Sequence, residues 1–214
     1  MPQGERVSSR QNVGWGQATD LPRTGDSTVG ASYSYAVRII AGSRKGSTIY
    51  APKSETRPTG DRVREAAFNL IGPVDDMAVL DLFAGSGAMG LEALSRGAST
   101  AVFVESDRDA QRAIERNVEK LGLTGATLLR VDARRALASE AAAGRRYDLV
   151  LVDPPYRMFD SFQPTLATYL PALLAEDGLV VVETAKRDQP ELAPLWERTS
   201  RTYGSTRVTL FEQP

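Results

Sequence analysis

The sequence predicts an α/β domain with a mostly parallel central sheet and an antiparallel strand at its C-terminal end. Three observations carry this expectation. Residues 79–83, Val-Leu-Asp-Leu-Phe, form an apolar run interrupted by one carboxylate, Asp81, which reads as a buried parallel strand rather than an alternating surface strand. Gly85, Gly87 and Gly90 follow in G-x-G-x-x-G spacing, ahead of the helix formers Leu91, Ala93 and Leu94. Further apolar runs then alternate with stretches of helical periodicity. A strand, a tight glycine turn and a helix make the first unit of a nucleotide-binding domain, where a Cβ would hold the backbone away from the ligand.

Composition narrows the chemistry. The 214 residues, 42% of them hydrophobic, suffice for one large domain or a domain with an appendage. No apolar stretch approaches the roughly 20 residues of a membrane span, and no apolar signal core opens the chain, so a cytoplasmic protein is expected. The sequence contains neither His nor Cys. That removes thiolate nucleophiles, imidazole acid–base catalysis and thiolate or imidazole zinc sites, and no metal is expected. Catalysis must rest on carboxylates, backbone groups, an aromatic ring or a cofactor. The net charge of −1 gives no global sign of a polyanionic partner, so any such site must come from local clustering.

Taken in order, residues 1–35 are poor in large apolar side chains and rich in Gly, Ser, Thr and Gln, and read as a disordered tail with solvated Arg6, Arg10 and Arg23. Residues 36–72 carry seven basic side chains (Arg38, Arg44, Lys45, Lys53, Arg57, Arg62 and Arg64) against three acidic ones. Residues 42–47 have the composition of a basic hairpin tip between two short strands. A helix follows from about Thr59, which with Asp61 is a candidate cap, and Val63, Ala67, Leu70 and Ile71 share one face. The main domain is expected over 73–214.

A second apolar strand, 101–104, ends in Glu105, 20 residues beyond Gly85. That is the offset at which a strand-end carboxylate meets ribose hydroxyls in nucleotide folds. A helix over 107–121 and a third strand over 127–131 lead to Asp132, which either caps the next helix or faces a ligand. Residues 148–156, Asp-Leu-Val-Leu-Val-Asp-Pro-Pro-Tyr, carry the sharpest signal. Two prolines after a core strand cannot continue it, since neither supplies an N–H. They fix the backbone rigidly and present a carboxylate (Asp153), a carbonyl (Pro154) and an aromatic ring (Tyr156). A helical stretch at 164–175, a fifth strand at 179–183 and a final antiparallel pair, one arm ending near Tyr203 and the other over 207–211, complete the chain.

Asp81-Leu-Phe-Ala-Gly-Ser-Gly, Glu105 and Asp153-Pro-Pro-Tyr156, in that order, resemble the class I S-adenosylmethionine-dependent amino-methyltransferases, which have a Rossmann-like fold. The block from Arg57 to Asn69, together with Arg38-Ile-Ile-Ala-Gly42, is similar to the RsmD family of 16S rRNA guanine-N2 methyltransferases. The family would have Thr where this chain has Gly60, and has no equivalent of residues 1–35. The resemblance implies that Asp81, Phe83, Gly85 and Gly87 lie near the methionine part of S-adenosyl-L-methionine. Glu105 with Ser106 would hold the ribose, and Asp132 with the Ala133 N–H the adenine. A flipped guanine would stack on Tyr156 and be held by Asp153 and the Pro154 carbonyl. Arg38, Arg44, Lys45, Arg57, Arg62 and Arg64 would contact small-subunit rRNA, free or within an assembling 30S particle, and a monomer is expected. DNA or RNA adenine-N6 and protein-amide methyltransferases share the four-residue motif and are the alternatives.

The implied chemistry suits a chain without His. An exocyclic base amine is planar because its lone pair is delocalised into the ring. Two acceptors at its hydrogens favour the pyramidal nitrogen that attacks a methyl group, and no general base with a pKa near 7 is required. An ionised carboxylate accepts only. Asp153 can therefore take both adjacent donors of guanine, N1–H and the N2 amine, whereas adenine sets an acceptor beside its amine.

Overall fold

The structure is a computed structural model that describes residues 33–52 and 60–214. Strands β1 (Tyr33–Arg38) and β2 (Thr48–Pro52) pair antiparallel as the expected hairpin, with Val37 opposite Ile49, and α1 (Asp61–Ile71) follows. β1 begins three residues ahead of the boundary expected at 36. The rest of the expected tail, residues 1–32, lies outside the described residues, as do Lys53, Arg57 and the candidate cap Thr59.

Seven strands form the central sheet: β3 (Ala78–Leu82), β4 (Thr100–Val104), β5 (Ala126–Leu129), β6 (Tyr147–Val152), β7 (Leu174–Ala185), β8 (Trp196–Tyr203) and β9 (Thr206–Glu212). Their order is β5-β4-β3-β6-β7-β9-β8. β9 runs antiparallel to both neighbours and the other pairs are parallel, so β9 alone opposes the rest. This is the Rossmann-like architecture that the sequence predicts. The order reverses between β3 and β6, which opens a crevice at their carboxyl ends. Among the described residues no helix is long and apolar enough to cross a membrane.

Both faces of the sheet are covered, which explains why its strands read as unbroken apolar runs. Val79, Phe103, Leu151 and Val181 face one core, completed by the hairpin, α1, α2 (Ala88–Ser95) and α3 (Arg108–Leu121). Their chain neighbours Leu80, Val104, Val150 and Val182 face the other, closed by α4 (Ala133–Ala142) and α5 (Phe159–Leu173). Helix α5 starts five residues before the expected Pro164. Phe159, Phe162, Leu166, Leu170 and Leu173 form one buried stripe, and this burial, at about 1.5–3 kcal/mol per large side chain, outweighs the interior prolines.

The N-terminal block departs from expectation in a way that sets the fold. Helix α1 buries Arg64, Ala67, Phe68 and Ile71, while Val63 and Leu70 of the predicted stripe are only partly covered. Its N-cap is Gly60, which makes no side-chain hydrogen bond, and Asp61 is the first helical residue. There the Asp61 carboxylate favours the helix dipole and accepts from Arg64 at 3.0 Å and from Arg38 at 3.3 Å. Arg64, expected on an RNA-facing surface, is 0% exposed. Its guanidinium also donates to the Arg38 carbonyl and lies 3.7 Å from Glu92.

Glu92, in the first helix after the glycines, is itself 0% exposed. Its carboxylate accepts from Ile40 N (2.7 Å), Ala41 N (3.0 Å) and Arg96 Nε (2.7 Å). Asn117 of α3 makes a second tie: its Oδ1 accepts from Tyr50 N at 2.7 Å, and its Nδ2 donates to Tyr50 O and Ser86 O. Arg44 donates to the carbonyls of Leu121 and Gly122 at the end of α3, so this expected RNA contact also serves the fold. Glu92→Ala removes the buried carboxylate beside Arg64, leaving it Asp61 as a carboxylate partner, and leaves two backbone donors without an acceptor. It is expected to cost about 3–5 kcal/mol of stability in a denaturant titration. A loss below about 1 kcal/mol would show that the hairpin does not depend on Glu92.

Candidate active site

The crevice at the carboxyl ends of β3, β4, β5 and β6 is a cavity of about 710 Å³. Eight of the predicted site residues border it: Phe83, Glu105, Ser106, Asp132, Ala133, Asp153, Pro154 and Tyr156. Pro52 of the hairpin, Phe162 of α5 and Glu183 of β7 complete the relevant walls. Asp81, Gly85 and Gly87 do not border it.

These three shape the loop. Asp81 is 3% exposed, and its Oδ2 accepts from Gly90 N at 2.8 Å. Gly90 is the third residue of α2, so a carboxylate from the adjacent strand supplies the cap that the Gly87 N-cap cannot. Gly87 has φ +81°, a left-handed conformation that side chains disfavour. At Gly90 the constraint is space. A Cβ there would lie 2.4 Å from a Phe103 ring carbon and 3.0 Å from Asp81 Oδ2. The spacing thus serves close helix–strand packing as well as approach to a ligand.

Glu105 ties the loop to the next strand. One carboxylate oxygen accepts from Gly85 N at 2.8 Å, and the other from Ser106 N (2.7 Å) and Asp107 N (2.8 Å). A carboxylate has about four lone-pair positions. A ligand that brought two hydroxyls to Glu105 would therefore displace at least one backbone N–H. Asp132 Oδ1 accepts from Arg135 N at 3.0 Å and caps α4, while the residue also borders the cavity, so both readings of it hold in geometry. Phe83 has φ +62°, and its ring meets Phe162 edge-on at 4.9 Å, forming an apolar wall.

The Asp153–Tyr156 turn stands on the opposite side. Pro154 is buried, Asp153 partly so, and Tyr156 is 42% exposed at the mouth. The Tyr156 hydroxyl lies 3.2 Å from Thr206 Oγ1 at the start of β9. Asp153, Glu183 and Asp81 also flank a small hollow of about 10 Å³ on the inner side. Glu183 was not among the predicted site residues. Its signal was available, since it is an acid near the end of a buried strand, as are Glu105 and Asp153. Of the predicted RNA contacts within the described residues, Arg38, Lys45 and Arg62 are exposed, Arg44 is half-buried and Arg64 is buried.

Gly90→Ala is expected to lower stability by about 1–3 kcal/mol through overpacking against Phe103, and to weaken ligand binding at the loop. Thermal melting and calorimetry check this, and an unchanged melting temperature would refute the packing account.

A family model described as Conserved hypothetical protein 95 matches residues 37–212. The Bacillus subtilis protein YlbH is 39% identical over 191 residues, spanning 83% of this chain and 99% of that protein. Ribosomal RNA small subunit methyltransferase D of Haemophilus influenzae is 35% identical over 168 residues, 74% of this chain and 83% of the relative. The solved structure of Escherichia coli yhhF superposes with a TM-score of 0.71 at 33% identity, over 84% of this chain and 98% of that one. With the glycine loop, the strand-end acids and the Asp-Pro-Pro-Tyr turn grouped about one crevice, the chain belongs to the RsmD family of methyltransferases.

Proposed function

We propose that this protein methylates the exocyclic N2 amine of a guanine in small-subunit ribosomal RNA. The observation that carries the reading is the Asp153-Pro154-Pro155-Tyr156 turn at the mouth of a cavity whose far wall holds Glu105 and Asp132. The family is one of methyltransferases, and the Haemophilus influenzae and Escherichia coli relatives are named as small-subunit rRNA methyltransferases. S-adenosyl-L-methionine supplies an electrophilic methyl group carried on a sulfonium cation. The residues present fit it: apolar faces at Phe83 and Phe162, and carboxylates at Glu105 and Asp132, all bordering one cavity.

The chain's own groups then divide the work. Glu105 accepts ribose hydroxyls and gives up a backbone N–H to do so. Asp132 and the Ala133 N–H meet the adenine. Tyr156, fixed at its hydroxyl by Thr206, offers a ring on which a base stacks once it leaves the RNA helix. Asp153 and the Pro154 carbonyl accept from the base amine and hold its nitrogen toward the donor. A charge-assisted hydrogen bond contributes roughly 1.5–3 kcal/mol, and the remaining acceleration comes from alignment of the amine with the methyl donor. Arg38, Lys45 and Arg62 supply positive charge on the hairpin and α1 for the RNA backbone.

Methyl transfer from labelled S-adenosylmethionine to 30S particles, naked small-subunit rRNA and DNA, with the product nucleoside identified, tests the reading. N2-methylguanine in rRNA is the expected product, and N6-methyladenine or a protein product would overturn it. In the same assay Glu105→Ala is expected to weaken cofactor binding. Tyr156→Ala is expected to spare cofactor binding and slow methylation by the roughly 1–3 kcal/mol of a base–aromatic stack. Equal losses of cofactor affinity in the two variants would count against that division.

A further inference from the structure

We infer that Glu183 reads the N1–H of the target guanine while Asp153 holds the N2 amine, so that guanine is selected by two carboxylates rather than one. The inference rests on the guanine-N2 reading above and deepens it. Glu183 lies on β7, in parallel register with β6 where Val152 pairs with Val182. Glu183 is the next residue of β7, and Asp153 is the first residue beyond β6, so the two follow the last paired positions of adjacent strands. Alternation along β7 turns Glu183 to the face of Val181, and Asp153 lines the same small hollow as Leu151 and Val181. Both border the main cavity and the small hollow behind it, and Glu183 is only 9% exposed.

Carboxylates accept hydrogen bonds and do not donate them, so the ligand edge that suits this pair is a set of adjacent donors. The Watson–Crick edge of guanine offers such a set, with N1–H adjacent to the two hydrogens of the N2 amine. Two acceptors on adjacent strands match two adjacent donors. Adenine presents its N6 amine beside N1, an acceptor, and would set a lone pair against Glu183. The same mismatch arises with 2-aminopurine, which keeps the N2 amine and lacks the N1 hydrogen. Sites that hydrogen-bond a polar group reject analogues lacking it far better than apolar pockets reject a missing methylene.

Single-turnover methylation of matched rRNA fragments carrying guanine or 2-aminopurine at the target position decides the matter. The wild-type protein is expected to prefer guanine by about tenfold or more. Glu183→Gln is expected to slow transfer to guanine by about tenfold and to collapse that preference, since an amide can turn its N–H toward N1 of 2-aminopurine. Asp153→Asn is expected to slow both bases alike. The ratio between two substrates is independent of the fraction of folded protein, and Glu183→Asp, which retains the charge, is expected to retain the preference at a reduced rate. If Glu183→Gln slows both bases equally while the wild type methylates guanine, Glu183 does not read N1–H and the inference is overturned. If the wild type transfers no methyl group to guanine N2, the functional reading itself falls, and this inference with it.

Discussion

The buried carboxylate of Glu92 is the constraint on which the arrangement of the molecule depends. A charge without solvent costs several kcal/mol unless partners surround it. Here the partners come from three separate places: the backbone after β1, Arg64 of α1 and Arg96 beyond α2. The helix that carries Glu92 begins at the glycine loop. The hairpin, α1 and the loop therefore share one anchor, and Asn117 adds another through Ser86 and Tyr50. The N-terminal block is consequently a built part of the domain on its glycine-loop side, and charges on its surface are held in a fixed place relative to the crevice.

The carboxyl edge of the sheet collects acids. Asp81, Glu105, Asp132, Asp153 and Glu183 all stand at or just beyond the ends of parallel strands. Four of them, Glu105, Asp132, Asp153 and Glu183, border the crevice, a concentration of negative charge that suits a cation better than a phosphate. The exposed cations Arg38, Lys45 and Arg62 lie outside this zone, on the hairpin and α1. Such a division of charge suits a substrate whose anionic backbone stays on the surface while one neutral base enters.

Much of this was legible in the sequence. Apolar runs with no alternation gave the buried strands, and glycine spacing gave the loop between β3 and α2. The double proline gave the rigid turn after β6, because few physical alternatives exist for two missing N–H groups. The N-terminal block was harder, since charge has two uses. An arginine that meets phosphate and one that neutralises a buried carboxylate look alike in composition, and Arg64 proved to be the second kind. Helix α1 buries Arg64 and Phe68 rather than the expected Val63 and Leu70, because its partner Glu92 lies far away in sequence. Asp81 shows the same limit. The resemblance sets it near the methionine part of the cofactor, and in the structure its carboxylate holds a helix N–H, a contact that spacing alone does not reveal. Glu183 carries the strand-end signal of Glu105 but no motif around it, so position alone marks it.

Helix α5 also exceeded its sequence signal, as tertiary packing of a five-residue apolar stripe carried the helix through Pro164.

The two outer strands of the sheet carry a different consequence. An open edge is a row of backbone donors and acceptors that any extended peptide can join. β5 is only four residues long and leaves little to pair with. β8, at the far side, shifts register between Glu197 and Thr199, and its Arg198 side chain is 51% exposed and bridged to Glu212 at 3.5 Å. A strand docking there would have to straighten a bulge and strip water from a guanidinium, although Trp196, 64% exposed, offers it an apolar foothold. The sheet thus ends on each side in backbone that discourages growth into an aggregate, and the chemistry of the crevice is kept apart from the two places where the fold is most exposed to mispairing.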